Sequence, residues 1–595
     1  MIFFSRLRSH ATALSFLTLV TLGFGISACT SKSKNEPPNT LHLVVEANIK
    51  GLDPVRADDE YSGVEVGRVY ETLLQYHYLK RPYTLIPNLA DGMPELSADG
   101  VTYTIHVKKG VLFQDDPCFK DSAGKGREMT ADDVVFSWKR LADPKILSSG
   151  WWIFDGRIVG LNEWRMAGEK SGTPDYTQVI EGLKASDRYT VQIKLLKRSS
   201  LFLYNIAMPF TGVIPHEAVE HYGQEFLNHP VGTGPFKIEE YHPNSKLVWL
   251  KNPTYRKELY PSEGEPGDKE AGLLDDAGKL LPLSDKIVVQ VIVESQPKWL
   301  NFLAGKIDLT SIPKDNFAQA IPSGKDLSPD LKAKGIKLLI APGLDITHTS
   351  FNMSDPLIGK NKFLRQALSL AYNEDSYIDI FYNGRAIPAQ GPIPPGIAGY
   401  DPTFKNPYRQ FNVAKAKELL AKAGFPDGKD LPPLEYITIS DSTSRQSTEF
   451  MEKAFGAIGV KLKVETYSWP EFQAAIKNKK GQMWAYAWSA DYPDAENFLQ
   501  LFYSKNASPG PNDSNYSNSE FDRLYEHSLM LKDSPERTAV YMKMVKILVE
   551  DCPWIFDSHR LSYALIQKWM HNYKAHDFEH SRAKYYRVDA SQKNK

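Results

Sequence analysis

Between Trp484 and Asp494 the chain reads Trp-Ala-Tyr-Ala-Trp-Ser-Ala-Asp-Tyr-Pro-Asp, which sets the carboxylate of Asp491 among large aromatic side chains. An ionised carboxylate removed from water needs a partner, because isolated charge in an apolar setting is costly. If the protein supplies no cation, a ligand's ammonium group can. The stretch is therefore a candidate amine-recognition site. The competing reading is an Asp that merely caps a turn, since Asp is a common turn former and Pro493 follows closely. Trp residues pack into cores by default, so Trp488 and Trp469 carry the same two readings, core or cleft wall.

Catalytic and metal chemistry find less support. His216-Glu-Ala-Val-Glu-His221 spaces its histidines five apart, whereas a zinc-protease helix needs them four apart to share one face. No Gly-x-Ser-x-Gly elbow and no phosphate-binding Gly-x-x-x-x-Gly-Lys-Ser/Thr loop occurs. Val231-Gly-Thr-Gly-Pro-Phe236 is glycine-rich, but Pro235 blocks the helix that a phosphate loop requires, so it reads as a tight inter-domain turn. The fourteen histidines form no Cys/His cluster. The expectation is a binding protein rather than an enzyme, with no cofactor and no metal.

The elements that must position Asp491 are mixed. Leu41–Ala47 reads as a strand and Leu52-Asp53-Pro54 as a turn, while Val64–Leu74 has helical spacing. Val101–Val107 alternates as a half-buried strand. Thr130 caps a helix with acidic residues in its first turn, and Asn412 caps another that Gly424 stops. Phe363–Tyr372 and Val540–Val549 are further amphipathic helices, and Asp115–Arg127 and Pro261–Pro282 read as surface loops. Strands and helices throughout indicate an α/β or α+β class.

With 595 residues, 42% hydrophobic and 24% charged, the chain is long enough for two or three domains. A net charge of −1 points away from nucleic acid. At the N-terminus, Arg6 and Arg8 precede an apolar run, Ala11 to Ile26, and then Ser27-Ala28-Cys29, the pattern of a secretory signal. Cys29 directly after small residues resembles the bacterial lipobox, in which that Cys is lipidated. Residues 1–28 are thus expected as signal peptide and 29–39 as a polar, proline-containing tether. The mature chain would be exported and lipid-anchored, in the periplasm or on the outer face of the cytoplasmic membrane. Cys118 and Cys552 remain beyond the anchor, and their spacing alone leaves their pairing open.

Five groups in order carry a resemblance. They are Leu96–Phe113 with Thr130–Leu141; Val231–Phe236; Ala304-Gly-Lys-Ile-Asp308 with Phe351-Asn352 and Arg365–Ser369; Ala414–Gly424; and Trp488–Asp494. Together they resemble the peptide/nickel extracytoplasmic solute-binding family, the receptors of ABC importers, with the nearest likeness to oligopeptide-binding members. The resemblance implies an α/β, two-lobed clamp with an extra domain inserted in the N-terminal lobe. One lobe would combine 40–70, 210–345 and 563–595, with the insertion at 71–209, and the other would be 346–562; two crossing strands would form the hinge. It further implies that Asp491 holds a peptide's ammonium and that Trp488 and Trp469 flank side-chain pockets. Asp58 would be a second acid, with Tyr492 and Trp151 (or the adjacent Trp152) as further contacts. Asp58 also lies in the run Asp58-Asp59-Glu60, which reads equally as a solvated loop.

Two departures from the family pattern stand out. Ser489 occupies the position of a frequent disulfide partner, and Ala485 that of a basic residue that can anchor a peptide's carboxyl end. The implied partners are a short peptide, an ABC permease in the cytoplasmic membrane and the membrane itself, with the chain a monomer. The same fold holding an oligosaccharide, nickel chelate, haem or murein peptide is the alternative, followed by a non-transport surface lipoprotein.

Overall fold

The computed structural model describes residues 36–593. The signal (1–28), Cys29 and most of the tether lie outside the described residues. Asn39, at the expected end of the tether, is already part of the fold: its Oδ1 accepts from the Val588 amide at 2.9 Å.

Strand Thr40–Val45 pairs in parallel with Lys286–Val291, and Lys246–Lys251 and Phe236–His242 extend the sheet antiparallel. Leu41, Trp249 and Ile287 fill its core and are fully buried. A second sheet, antiparallel, is built from Glu95–Leu96, Thr102–His106, Thr190–Lys194 and Leu183–Asp187. Tyr103 and Ile105 point inward from it, as their alternation predicts. Helix Ala131–Ala142 covers it; the Thr130 amide donates to Asp133 Oδ2 at 2.8 Å, which fixes the first turn.

The largest sheet joins everything else. Its long strand, Trp554–Ile566, changes partners midway. Trp554 to Arg560 pair with Asp345–Phe351 and Ala386–Pro388, whereas Leu561 to Ile566 pair with Lys337–Pro342 and Leu309–Ser311. Lys337–Pro342 runs into Asp345–Phe351 through Gly343 and Leu344, so two strands continue across the junction between the lobes. Parallel strands Leu434–Ile439 and Leu462–Tyr467 complete the far side of this sheet, beside Met483–Ser489. Helices Lys362–Ala371 and Val413–Lys422 pack over it; Asn412 Oδ1 accepts from the Lys415 amide at 2.9 Å, and Gly424 ends the second helix at φ +97°.

Several expectations change. Val64–Leu74 is not one helix: the helix is Glu60–Val66, and Arg68 and Val69 instead offer their carbonyls to the Phe236 and Gly234 amides at 3.0 and 2.9 Å. A tertiary backbone partner outcompetes the helical pattern there. The Pro261–Pro282 segment is no mere surface loop, since Asp276 within it is fully buried and accepts from Asn572 and Arg587 at 2.7 and 2.8 Å. Cys118 and Cys552 are buried and unbonded to one another. Among the described residues, no helix is long and apolar enough to cross a membrane.

Candidate functional site

Strand Met483–Ser489 lies antiparallel to Asp345–Phe351, with Trp488 opposite Ile346, and carries the chain to the cleft between the lobes. Trp484 is fully buried in the second lobe, while Tyr486 and Trp488 emerge progressively toward that cleft. The chain then turns through Ser489 and Ala490 to Asp491, and the short helix Glu496–Leu499 follows. Asn497 on that helix is fully buried and organises the turn. Its Oδ1 accepts from the Trp488 indole and from the Asp491 amide, both at 2.9 Å, and its Nδ2 donates to Asp491 Oδ2 at 2.8 Å. One amide thus fixes both the aromatic wall and the acid.

Among the described residues, no Lys, Arg or His forms an ion pair with Asp491, unlike its neighbour Asp494, which Arg537 and Tyr541 hold at 2.6 and 2.9 Å. Burial pushes the Asp491 carboxyl up from 3.8 to about 7, with Glu60 and Glu496 adding to the rise and Asn497 opposing it. A buried acid that lacks a countercharge, at the wall of a cleft, has the character of a ligand contact.

Asp491 borders a cleft of about 440 Å³, within the span of ordinary small-ligand sites. Trp469, Tyr486, Trp488 and Tyr377 wall one side and Tyr61 with Asp58 the other. Trp469 opens helix Trp469–Lys477, whose N-terminus is fixed by reciprocal bonding between Ser468 and Glu471. Its ring lies parallel to Tyr486 at 5.8 Å and meets Tyr61 edge-on at 5.6 Å, spanning the two lobes.

Asp58 also lines the cleft, but it is ion-paired to Lys50, and Lys50 with Lys477 holds its carboxyl below the usual range against the opposing effect of burial. The solvated-loop reading fails for its neighbour too: Asp59 is buried and caps helix Glu60–Val66 through the Ser62 amide at 3.0 Å. Two expected contacts sit elsewhere. Tyr492 is fully buried, stacked on Tyr204 at 5.9 Å with its hydroxyl on Glu496 at 2.6 Å, because the turn at Asp491 sends the next side chain to the opposite side. Trp151 packs on the inserted domain's core under the Arg165 guanidinium at 5.2 Å, and Trp152 is buried beside it.

Arg560 and Asp557 in the cleft went unseen in the sequence, as did Asn497. Arg560 is the one Arg or Lys among the described cleft-lining residues; it is ion-paired to Asp345, yet its side chain is 41% exposed. Among the described residues, no group of three or more His, Cys, Asp or Glu could hold a metal ion.

Two lobes joined by continuous strands around a cleft with a countercharge-free acid define a ligand-binding clamp. The sequence profile of the bacterial extracellular solute-binding proteins, family 5 middle, matches residues 84–510, and the chain belongs to that family. Di/tripeptide-binding protein 2 of Pseudomonas aeruginosa is 26% identical over 94% of this chain and 96% of its own length. Heme-binding protein A of Haemophilus influenzae is 26% identical over 90% of each chain. The structure of the periplasmic binding protein DppA of Helicobacter pylori, in complex with the peptide STSA, is similar at a TM-score of 0.75 and 27% identity, over 92% of this chain and 98% of that one.

Proposed function

We propose that this chain is the solute-binding receptor of an ABC importer, lipid-anchored through Cys29, which captures short peptides by lobe closure and hands them to a membrane permease. Asp491 receives the peptide's ammonium, and this is the contact on which the reading rests: an acid in the cleft wall that its own chain leaves without a countercharge. Trp488 and Trp469 flank roomy side-chain pockets, and Asp58, held by Lys50, shapes the opposite wall. Arg560 can turn from Asp345 toward a carboxyl end, a task for which Ala485 is unsuited. Peptide-binding relatives aligned over nearly the whole chain support the substrate class.

A charge-assisted contact of this kind contributes about 1.5–3 kcal/mol. Asp491→Asn should therefore weaken free-amine tripeptides about ten- to a hundredfold in calorimetry. N-acetylated tripeptides should bind the parent as weakly as free ones bind the variant. Equal affinity of parent and variant for free-amine peptides would remove Asp491 from the mechanism. Haem is the second reading, favoured by the haem-binding relative; a Soret titration that saturates at one haem per chain, with no heat from peptides, would select it.

A further inference from the structure

Asp557 is a second acid in the same cleft with no assigned task. It lies in the half of Trp554–Ile566 that pairs within the second lobe, is 7% exposed, and faces the cleft beside Tyr377, Tyr382 and Ser447. Its Oδ1 is buried and has no hydrogen-bond partner among the described residues. Arg409 is the base whose charge reaches it. That guanidinium, however, ion-pairs with Asp375 at 3.0 Å and contacts Asp557 only at the backbone carbonyl, at 3.4 Å.

The charges around the cleft lean the same way. Its walls carry Asp58, Asp59, Glu60, Asp491 and Asp557 against Arg560. Asp58 has Lys50, Glu60 has Arg582 at 3.6 Å, and Arg560 is itself held by Asp345. Asp491 and Asp557 remain as the two cleft acids without an ion pair among the described residues. A peptide's amino terminus satisfies one of them. The other stays buried and unsatisfied if the ligand is neutral, which is unfavourable for a desolvated acid.

We propose that Asp557 is the floor of a second cation subsite, selecting peptides that carry a lysine or arginine side chain in addition to their amino terminus; this rests on the peptide reading above. The tyrosines suit the task. Tyr377 and Tyr382 both lie within the field of the Asp557 carboxylate, and their ring faces stabilise a cation while their bodies take up its aliphatic stem. Burial pushes the Asp557 carboxyl up to about 7, as for Asp491, so each acid is readily neutral until a cation arrives.

Calorimetry near neutral pH with alanine tripeptides tests this, each carrying one lysine or its apolar isostere norleucine at the first, second or third position. The parent should prefer lysine to norleucine by about tenfold or more at one position at least. In Asp557→Asn that ratio should fall to within about twofold, while N-acetylation still weakens binding; in Asp491→Asn the acetylation effect should vanish and the lysine preference persist. Equal affinities for lysine and norleucine at all three positions of the parent would overturn the proposal whatever the variants do. So would a lysine preference that survives in a folded Asp557→Asn. Failure of every tripeptide to bind, neutral ones included, would refute the peptide reading and this subsite with it.

Discussion

Asp491 ties ligand capture to instability of the empty receptor. Its carboxyl rises from 3.8 to about 7 on folding, so between those pH values the folded chain holds a proton that the unfolded chain has released. Stability of the empty protein must therefore fall as pH rises from about 4 to about 7 and stay reduced above, with Asp557 acting in the same sense. Asp491→Asn should raise the melting temperature of the empty protein more at pH 8 than at pH 5, as scanning calorimetry would show; equal shifts at both would contradict the assignment. Ammonium needs the ionised form, so peptide affinity should drop by up to about tenfold per pH unit below 7. Asp491 and its tryptophans were legible because one contiguous stretch carries them. Asn497 follows six residues later as an unremarkable amide, and Asp557 arrives from a strand far along the chain, where its surroundings cannot be inferred from spacing.

Local elements were legible where local rules govern them: Thr130 and Asn412 cap helices as their side chains dictate, and Val101–Val107 alternates into a sheet. Prediction failed where a distant backbone intervened. After Val66 the chain abandons helix because Val69 pairs with the Val231–Phe236 turn, and the two backbones come so close that a Cβ on Gly232 would lie 2.0 Å from the Val69 carbonyl oxygen. That close approach explains the glycines that suggested a phosphate loop. Gly232→Ala should destabilise the protein by about 1–3 kcal/mol, read from the urea midpoint, since backbone rather than a flexible side chain must yield. An unchanged midpoint would show that the turn relaxes freely.

The lobes touch across the cleft in this structure. Tyr61 meets Trp469, and the Ser442 hydroxyl donates to Glu294 at 2.6 Å. A peptide in contact with both lobes favours this closed arrangement only through its better affinity for it. Glu294→Ala removes one rim contact and touches no proposed ligand group. It should weaken peptide affinity by up to about tenfold, in proportion to the closed population lost, while small-angle scattering of the saturated protein stays that of the parent. A larger radius of gyration in the saturated variant would mean that the rim bond, not the ligand, holds the clamp shut. The two-lobed plan was legible through family likeness; the partner change midway along Trp554–Ile566 was not, because one unbroken strand pattern carries no mark of where its neighbours switch.

The chain's last residues return to its first lobe. The Tyr78 hydroxyl donates to the Asn572 carbonyl at 2.5 Å, Ser284 to the Tyr586 carbonyl at 2.7 Å, and Asn39 receives the Val588 amide. A polypeptide emerging from the ribosome therefore cannot finish its opening half until synthesis is nearly over, which suits a protein expected to thread a secretion channel before it folds. Clipping a few dozen residues from the tail would leave the beginning, not the end, of the molecule open to proteases.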